Sequence, residues 1–174
     1  MEKVLDVLKL AIEKEHVRRD AYNEAAQNTQ NPLAKATFEA LARDEDKHAQ
    51  YLRLYYDSQS KNAGWPPVGD VVEDEGGLEA VKMIFKYANE QIAQTAACDE
   101  DLGEVYEAAI AAETESVHLY RDALEHTTDQ NARDFFALLV DVENRHLKLL
   151  SETQEFLNDT SKWFFDEEMW IVEG

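Results

Sequence analysis

The chain contains an internal repeat. When residues 7–52 are aligned with residues 105–150 at a constant offset of 98 positions, thirteen positions carry the same amino acid without a gap. Most of these matches are apolar and recur at helical spacing, which predicts two copies of a helical hairpin that pack their apolar stripes together. The other matches carry polar groups in register with this core and therefore indicate function: Glu15/Glu113, Glu45/Glu143, His48/His146 and Tyr22/Tyr120.

The apolar periodicity predicts four long helices, at residues 3–28, 32–57, 104–127 and 129–157. Asn31 and Pro32 mark the first break, because proline suits the first turn of a helix and cannot continue the preceding one. The short connection implies that the first two helices lie antiparallel. Residues 58–77 have the composition of a connector, and residues 78–96 predict a further helix within a structured crossover. Neither repeat could bury its stripe alone, so we expect a single domain over residues 1–174.

The C-terminal segment, residues 162–174, is unusually apolar. So many apolar side chains predict a docked tail, seated either on the end of the bundle or on a second subunit. The single cysteine, Cys98, excludes an internal disulfide and any Cys-x-x-Cys iron or zinc module built within this chain. Its simplest interpretation is a small residue in the connector.

Composition excludes several classes of function. The formal charge of −20 argues against nucleic acid as a partner, because phosphate binding requires a basic face. No apolar run approaches the roughly 20 residues that cross a bilayer, so no membrane partner is expected. The first residues show no signal-peptide pattern, which predicts a cytoplasmic location.

Two Glu-x-x-His motifs recur in register, Glu45/His48 and Glu143/His146. Residues three positions apart lie one turn apart on the same helix face, so each motif pairs a carboxylate with an imidazole. The pattern alone is weak evidence, because roughly one such pair is expected by chance in a chain this rich in glutamate. Two further pairs, Glu13/His16 and Glu115/His118, are not repeated.

The other histidines have simpler interpretations. His16 and His118 lie off the apolar stripes, and we interpret both as solvated surface residues. His126 lies near the end of the third helix, where a cation interacts favourably with the helix dipole.

The glutamates on the stripes, Glu15, Glu45, Glu113 and Glu143, present an energetic problem. An uncompensated buried carboxylate costs several kcal/mol, and four together repel one another. They could be protonated, paired with arginine or lysine, or bound to metal. Arg18 and Arg19 lie near Glu15, but no basic residue lies at the equivalent places beside Glu113, so pairing is not expected to balance both halves.

Two divalent ions would balance the four carboxylates, and His48 and His146 would give one nitrogen to each ion. Oxygen-rich ligation with a little nitrogen suits iron or manganese better than copper or a structural zinc site. The sequence therefore predicts a buried site for two metal ions.

This set of residues resembles the di-iron carboxylate pattern of ferritin-like bundles, and within that class the chain looks like a rubrerythrin-type protein over nearly its whole length. The resemblance implies an all-α, ferritin-like four-helix bundle with a long crossover between helices 2 and 3. It also implies a cofactor of two iron ions, oxo- or hydroxo-bridged when oxidised, with manganese or zinc as substitutes.

The resemblance further implies a role for each site residue. Glu45 and Glu143 would bridge the two irons, Glu15 with His48 would complete one ion, and Glu113 with His146 the other. Tyr22 and Tyr120 look like the family's tyrosines that hydrogen-bond a ligand carboxylate, although an ordinary aromatic core role remains open for both. Asp44, whose counterpart in the second repeat is Val142, is a candidate to orient a ligand histidine from another helix.

Three departures from the family pattern affect the expected function. The chain lacks the four iron-binding cysteines of a rubredoxin domain, so electrons would come from a separate donor such as rubredoxin. Ser116 stands where rubrerythrins place an additional glutamate, which puts peroxide-selective chemistry in doubt. Asp46 stands where bacterioferritins place a haem-binding methionine, so no haem is expected.

These observations lead to one principal hypothesis and two alternatives. The principal hypothesis is an oxidoreductase, expected as a homodimer, that reduces hydrogen peroxide or O2 at a di-iron site. The first alternative is a ferroxidase or iron-handling protein, for storage or delivery, without multiple-turnover catalysis. The second is a structural bundle in which the metal only stabilises the fold.

Overall fold

The structure is a computed structural model that describes residues 2–70 and 102–158. Within these ranges it contains four long helices and no strand: α1 (Glu2–Asn28), α2 (Pro32–Ser60), α3 (Leu102–His126) and α4 (Gln130–Asn158). A short 3-10 helix, Val68–Asp70, follows α2. The predicted all-α four-helix bundle is confirmed, and the helix bounds differ from the predicted ones by at most three residues.

Polar caps fix the starts of the second helix of each hairpin. The Asn31 side chain accepts hydrogen bonds from the backbone N–H groups of Leu33 and Ala34 at 3.0 and 3.1 Å, while Pro32 occupies the first turn of α2. At the equivalent place in the second hairpin, Asp129 Oδ1 accepts from the backbone N–H of Ala132 at 3.1 Å. Each cap satisfies N–H groups that have no partner within the helix, so the chain reverses direction after only a few residues.

The two hairpins pack as the internal repeat predicts. α1 packs along α2 and α3 along α4, and the hairpins meet through α1 with α3 and through α2 with α4. Two apolar clusters form the core. Phe38 and Tyr106 lie in one, with ring centroids 4.9 Å apart, and Tyr55 and Phe135 lie in the other, 3.7 Å apart.

The first residues of the connector lie against the second apolar cluster. The Trp65 ring lies 5.6 Å from the ring of Tyr55 and 5.7 Å from that of Phe136. Asn131 Nδ2 donates a hydrogen bond to the Trp65 carbonyl oxygen at 2.9 Å. The connector thus begins by folding back onto α2 and α4.

Several predictions concern residues that the structure does not describe. The helix at 78–96, the docked tail at 162–174 and the place of Cys98 lie outside the described ranges. Within those ranges, no helix is both long enough and apolar enough to span a membrane.

Candidate metal centre

Six predicted site residues lie together between the four helices. Each is almost inaccessible to solvent, with exposed fractions of 0 to 2%. α1 and α3 each contribute one glutamate, and α2 and α4 each contribute a Glu-x-x-His motif, so all four helices meet at this polar centre. The six residues are Glu15, Glu45, His48, Glu113, Glu143 and His146.

The donor atoms divide into two overlapping groups of four, which we call the His146 half and the His48 half; within each group the atoms lie within 4.8 Å of one another. In the His146 half, His146 Nδ1 lies 3.2 Å from Glu45 Oε1, 3.6 Å from Glu113 Oε1 and 3.7 Å from Glu143 Oε2. Two donors that share an ion at about 2.1 Å can lie up to about 4.2 Å apart. These three distances therefore fit a shared ion.

The His48 half has the same composition. His48 Nδ1 lies 3.7 Å from Glu15 Oε2, 3.9 Å from Glu45 Oε2 and 3.9 Å from Glu143 Oε1. Glu45 and Glu143 thus belong to both halves, and each directs one oxygen to each histidine. This arrangement fits the bridging role that the family resemblance implies for these two glutamates.

Several of these donor atoms lack the hydrogen bonds that buried polar atoms normally make. Among the described residues, no hydrogen bond reaches Glu45 Oε1, Glu143 Oε2, His48 Nδ1 or either ring nitrogen of His146. An unsatisfied buried polar atom is costly, so a converging set of them indicates a missing partner. Divalent metal fits that role, because carboxylate and imidazole are suitable ligands for iron and manganese.

Arg18 corrects the prediction that ion pairing cannot balance both halves. Its side chain is buried among the carboxylates, with 6% exposed. Nη2 lies 2.6 Å from Glu15 Oε2, 2.8 Å from Glu45 Oε2 and 3.3 Å from Glu143 Oε1, and Nε lies 3.6 Å from Glu113 Oε2. The arginine side chain is long enough to reach from α1 to the other hairpin, so this one basic residue pairs with carboxylates of both repeats.

The sequence contained a signal for this position that the repeat comparison did not use. Arg18 follows Glu15 by one helical turn and therefore lies on the same face. Its counterpart in the second repeat is Ser116, to which Arg18 Nη1 donates a hydrogen bond. Arg19, by contrast, lies at the rim, where it donates to Asp20 and Asp46.

The two predicted tyrosines hydrogen-bond carboxylates of the opposite hairpin. Tyr22 on α1 donates to Glu113 Oε1, and Tyr120 on α3 donates to Glu15 Oε1. Both tyrosines are buried, and each also packs in one of the two apolar clusters. The hydroxyls therefore hold the two glutamates that are not shared between the halves.

Asp44 lies behind the histidine of the other hairpin. Its Oδ2 is 3.8 Å from His146 Nε2, and its Oδ1 is 3.3 Å from Lys47 Nζ. The carboxylate is buried. It contacts Nε2 of the ring, whereas Nδ1 is directed at the glutamates of the cluster. The position suits the predicted role of orienting a histidine.

In the metal-free protein, the shared glutamates favour their neutral form. Burial raises the pKa of Glu45 well above its ordinary value, and the charges of Glu15 and Glu113 raise it further. Burial likewise raises the pKa of Glu143, with added repulsion from the same two carboxylates. A proton on each shared glutamate relieves the repulsion within the cluster.

The unshared glutamates favour their ionised form. Burial opposes ionisation of Glu113, but the nearby polar groups of Glu143 and His146 and the charges of His146 and Arg18 lower its pKa to about 2. Burial also opposes ionisation of Glu15, but the Arg18 charge and a hydrogen bond from Glu45 lower its pKa still further.

The pKa of His146 is raised although burial opposes its charge, because Asp44 and the glutamates around the ring stabilise its protonated form. Two carboxylates, one guanidinium and one imidazolium give a sum of zero charge. The metal-free cluster is therefore balanced by protons and Arg18.

The three histidines outside the cluster are placed as follows. His118 is exposed, as predicted. His16 is half-buried and its Nδ1 makes no hydrogen bond with a described residue, so the prediction of a fully solvated side chain is wrong for this residue. His126 lies in the last turn of α3, as predicted, with its ring nitrogen 2.8 Å from the Asp122 carbonyl oxygen.

Of the comparisons with known proteins, the one with family models found a match. Searches of curated proteins and of solved structures found no match. The family model described as Rubrerythrin matches residues 6–154, a range that includes all six cluster residues. The match covers most of the chain, and the buried Glu and His cluster fits a di-iron carboxylate site. The chain belongs to the rubrerythrin family.

Proposed function

We propose that this protein is a di-iron oxidoreductase that reduces hydrogen peroxide or O2 with electrons from an external donor. The observation that carries the proposal is the convergence of six buried donor residues on two halves that share Glu45 and Glu143. When bound, two iron ions would supply two electrons to one small oxidant. The family match supports the di-iron assignment.

The residues of the cluster and its neighbours would limit which oxidants reach the site and would hold the ligand carboxylates in place. The donor residues are 0 to 2% exposed, so only a small oxidant could reach them. Tyr22 and Tyr120 hold one oxygen each of Glu113 and Glu15 through their hydroxyls, and each of the four glutamates keeps one oxygen that makes no hydrogen bond with a described residue. Ligand carboxylates fixed in this way keep the site organised while its charge changes.

The proposed electron donor is a separate molecule. With a single cysteine, this chain cannot form a four-cysteine iron centre of its own. A reduced rubredoxin is the donor that the family resemblance suggests. The homodimer and the cytoplasmic location also stay predictions.

The first test is iron stoichiometry. Equilibrium dialysis against saturating Fe(II) under nitrogen should give about two irons per chain. The double variant Glu45→Ala/Glu143→Ala should bind neither ion and keep its helical circular dichroism. A matched variant with two exposed glutamates changed, Glu39→Ala/Glu107→Ala, should bind as the wild type does.

The second test is turnover. With excess reduced rubredoxin, the iron-loaded protein should consume hydrogen peroxide or O2 over many cycles. A single slow oxidation, with the ferric product retained and no further turnover, would contradict the proposal. That outcome would favour the ferroxidase or iron-handling alternative.

A further inference from the structure

The two halves of the candidate metal centre differ in what already occupies them. Arg18 Nη2 contacts Glu15 Oε2, Glu45 Oε2 and Glu143 Oε1 at 2.6, 2.8 and 3.3 Å. These are the same three oxygens that face His48 Nδ1. The guanidinium nitrogen therefore lies where an ion of the His48 half would bind.

The oxygens of the His146 half remain accessible to a metal. The Arg18 contacts with Glu45, Glu113 and Glu143 are made to the other oxygen of each carboxylate, Oε2, Oε2 and Oε1. Glu45 Oε1 and Glu143 Oε2 make no hydrogen bond to any described residue, whereas Glu113 Oε1 accepts one from Tyr22. A carboxylate oxygen can accept more than one partner, so this bond does not prevent ligation.

Asp44 gives an independent difference between the two halves. It lies 3.8 Å from His146 Nε2, where a carboxylate strengthens and orients a metal-binding imidazole. The equivalent residue of the second repeat is Val142, a buried apolar side chain that can give His48 no such support.

From these contacts we propose that Arg18 makes the two halves unequal, so that the His146 half binds the first divalent ion and the second ion must displace the guanidinium from the His48 half. This inference rests on the proposed metal-binding function of the cluster. Arg18 is then a specificity-determining residue, because it sets how many ions the protein holds at a given metal concentration.

The charge balance supports this order of binding. Two divalent ions neutralise four ionised carboxylates, and a guanidinium retained among them would leave one excess positive charge at a buried site. One divalent ion and the guanidinium carry three positive charges, which three ionised carboxylates and one protonated carboxyl group balance. A cluster with one ion and Arg18 in place is therefore a stable state of this site.

The test is a titration with Co²⁺ under nitrogen, followed by calorimetry and by the visible absorption of the bound ion. The wild type should bind one ion tightly and a second at least about tenfold more weakly. Arg18→Leu should bind the second ion at least about tenfold more tightly than the wild type does and keep only the smaller difference in affinity that Asp44 maintains. Arg19→Leu, which removes a rim arginine one position away, should keep the wild-type pattern.

Two histidine variants test the assignment with Arg18 retained, in case Arg18→Leu does not fold. His48→Ala should keep the tight ion and lose the weak one. His146→Ala should lose the tight ion. The reverse pattern, or equal loss in both variants, would overturn the proposal.

The remaining outcomes separate the inference from the function on which it rests. Two equal, tight sites in the wild type would overturn the inference and leave the metal site intact. An unchanged affinity gap in Arg18→Leu would do the same. No cobalt binding by either protein would overturn the proposed metal-binding function, and the inference with it.

Discussion

Arg18 and Ser116 occupy equivalent positions in the two repeats, 98 residues apart, and their side chains meet in a hydrogen bond at the centre of the bundle. The two repeats therefore contribute the same candidate ligands but differ at the position one helical turn after Glu15 and Glu113. Two arginines at this centre would repel each other, whereas a serine leaves room for one guanidinium and accepts from it. The site depends on this pair of unlike residues.

Replacing Ser116 with alanine should destabilise the metal-free protein. The change leaves a buried guanidinium N–H without its acceptor, which costs about 1–3 kcal/mol. Urea unfolding in the presence of a chelator measures this loss. Thr114→Ala, an exposed position on the same helix, should change the free energy of unfolding by no more than about 0.5 kcal/mol. Equal stability of the two variants would contradict a role for Ser116 in holding Arg18.

Removing either tyrosine hydroxyl should also destabilise the metal-free protein. Tyr22→Phe and Tyr120→Phe each delete a hydrogen bond to an ionised carboxylate, worth about 1.5–3 kcal/mol. The two bonds reach different glutamates, although both glutamates contact Arg18, so a double variant also measures how strongly the two bonds are coupled. Tyr56→Phe, half-buried on α2 and outside the cluster, is the control. Losses no larger than the control's would indicate that the tyrosines act only through their rings.

Most of the fold could be predicted from the sequence because the internal repeat and the helical periodicity of the apolar residues indicate the same packing of four helices. Most of the matched apolar positions lie in the core or pack against it, and Asn31 and Pro32 start α2 where the turn chemistry required. The ends of helices were less certain. α2 continues to Ser60, three residues beyond the predicted end, because polar residues can extend an exposed helical turn that no apolar periodicity marks.

The cluster's membership could also be predicted, since burial of four matched carboxylates requires compensation. Arg18 was missed for a physical reason. Sequence spacing shows which residues share a helix face, but it does not show how far a long side chain reaches across to another helix. A guanidinium that starts on α1 and ends between four carboxylates is a tertiary feature, and the repeat comparison hid it because Arg18 and Ser116 do not match.

The stability of the metal-free protein should fall as the pH rises above about 4.5, and more steeply above about 6.5. Glu45 and Glu143 have raised pKa values in the folded state, so the unfolded chain loses these protons first, from about pH 4.5 upward. His146 acts in the same direction, because its raised pKa gives stability that is present below pH 6.5 and lost above it. Each such group costs about 1.4 kcal/mol per pH unit until its folded pKa is passed.

At acid pH the trend should reverse. Glu15 and Glu113 have lowered pKa values, so their contribution is present above about pH 4.5 and is lost as the pH falls toward their folded values. Thermal unfolding in chelator should therefore show maximum stability near pH 4.5. The double variant Glu45→Gln/Glu143→Gln should reduce the decline from pH 6 to 8. A wild-type protein whose stability rises over that interval would contradict these pKa directions.

Asp44 offers a prediction that concerns only one half of the cluster. Its carboxylate lies beside Nε2 of His146. The equivalent residue in the second repeat is Val142, an apolar side chain that cannot support His48 in the same way. Asp44→Asn keeps the size of the side chain but removes the charge that supports the imidazole. We expect the tighter Co²⁺ affinity to fall by roughly 10- to 100-fold, the range typical for loss of such a partner, while the weaker affinity changes little.

Asp46→Asn is the matched control for this change. Asp46 also lies next to Glu45, but it is half-exposed and pairs with Arg19 at the rim. Its replacement should leave both cobalt affinities unchanged, because its charge is screened by solvent and contacts neither histidine. If Asp44→Asn and Asp46→Asn weakened binding equally, the effect would come from the general negative charge of the chain. A loss confined to Asp44→Asn and to the tighter ion would mean that a residue of one hairpin orients the histidine of the other.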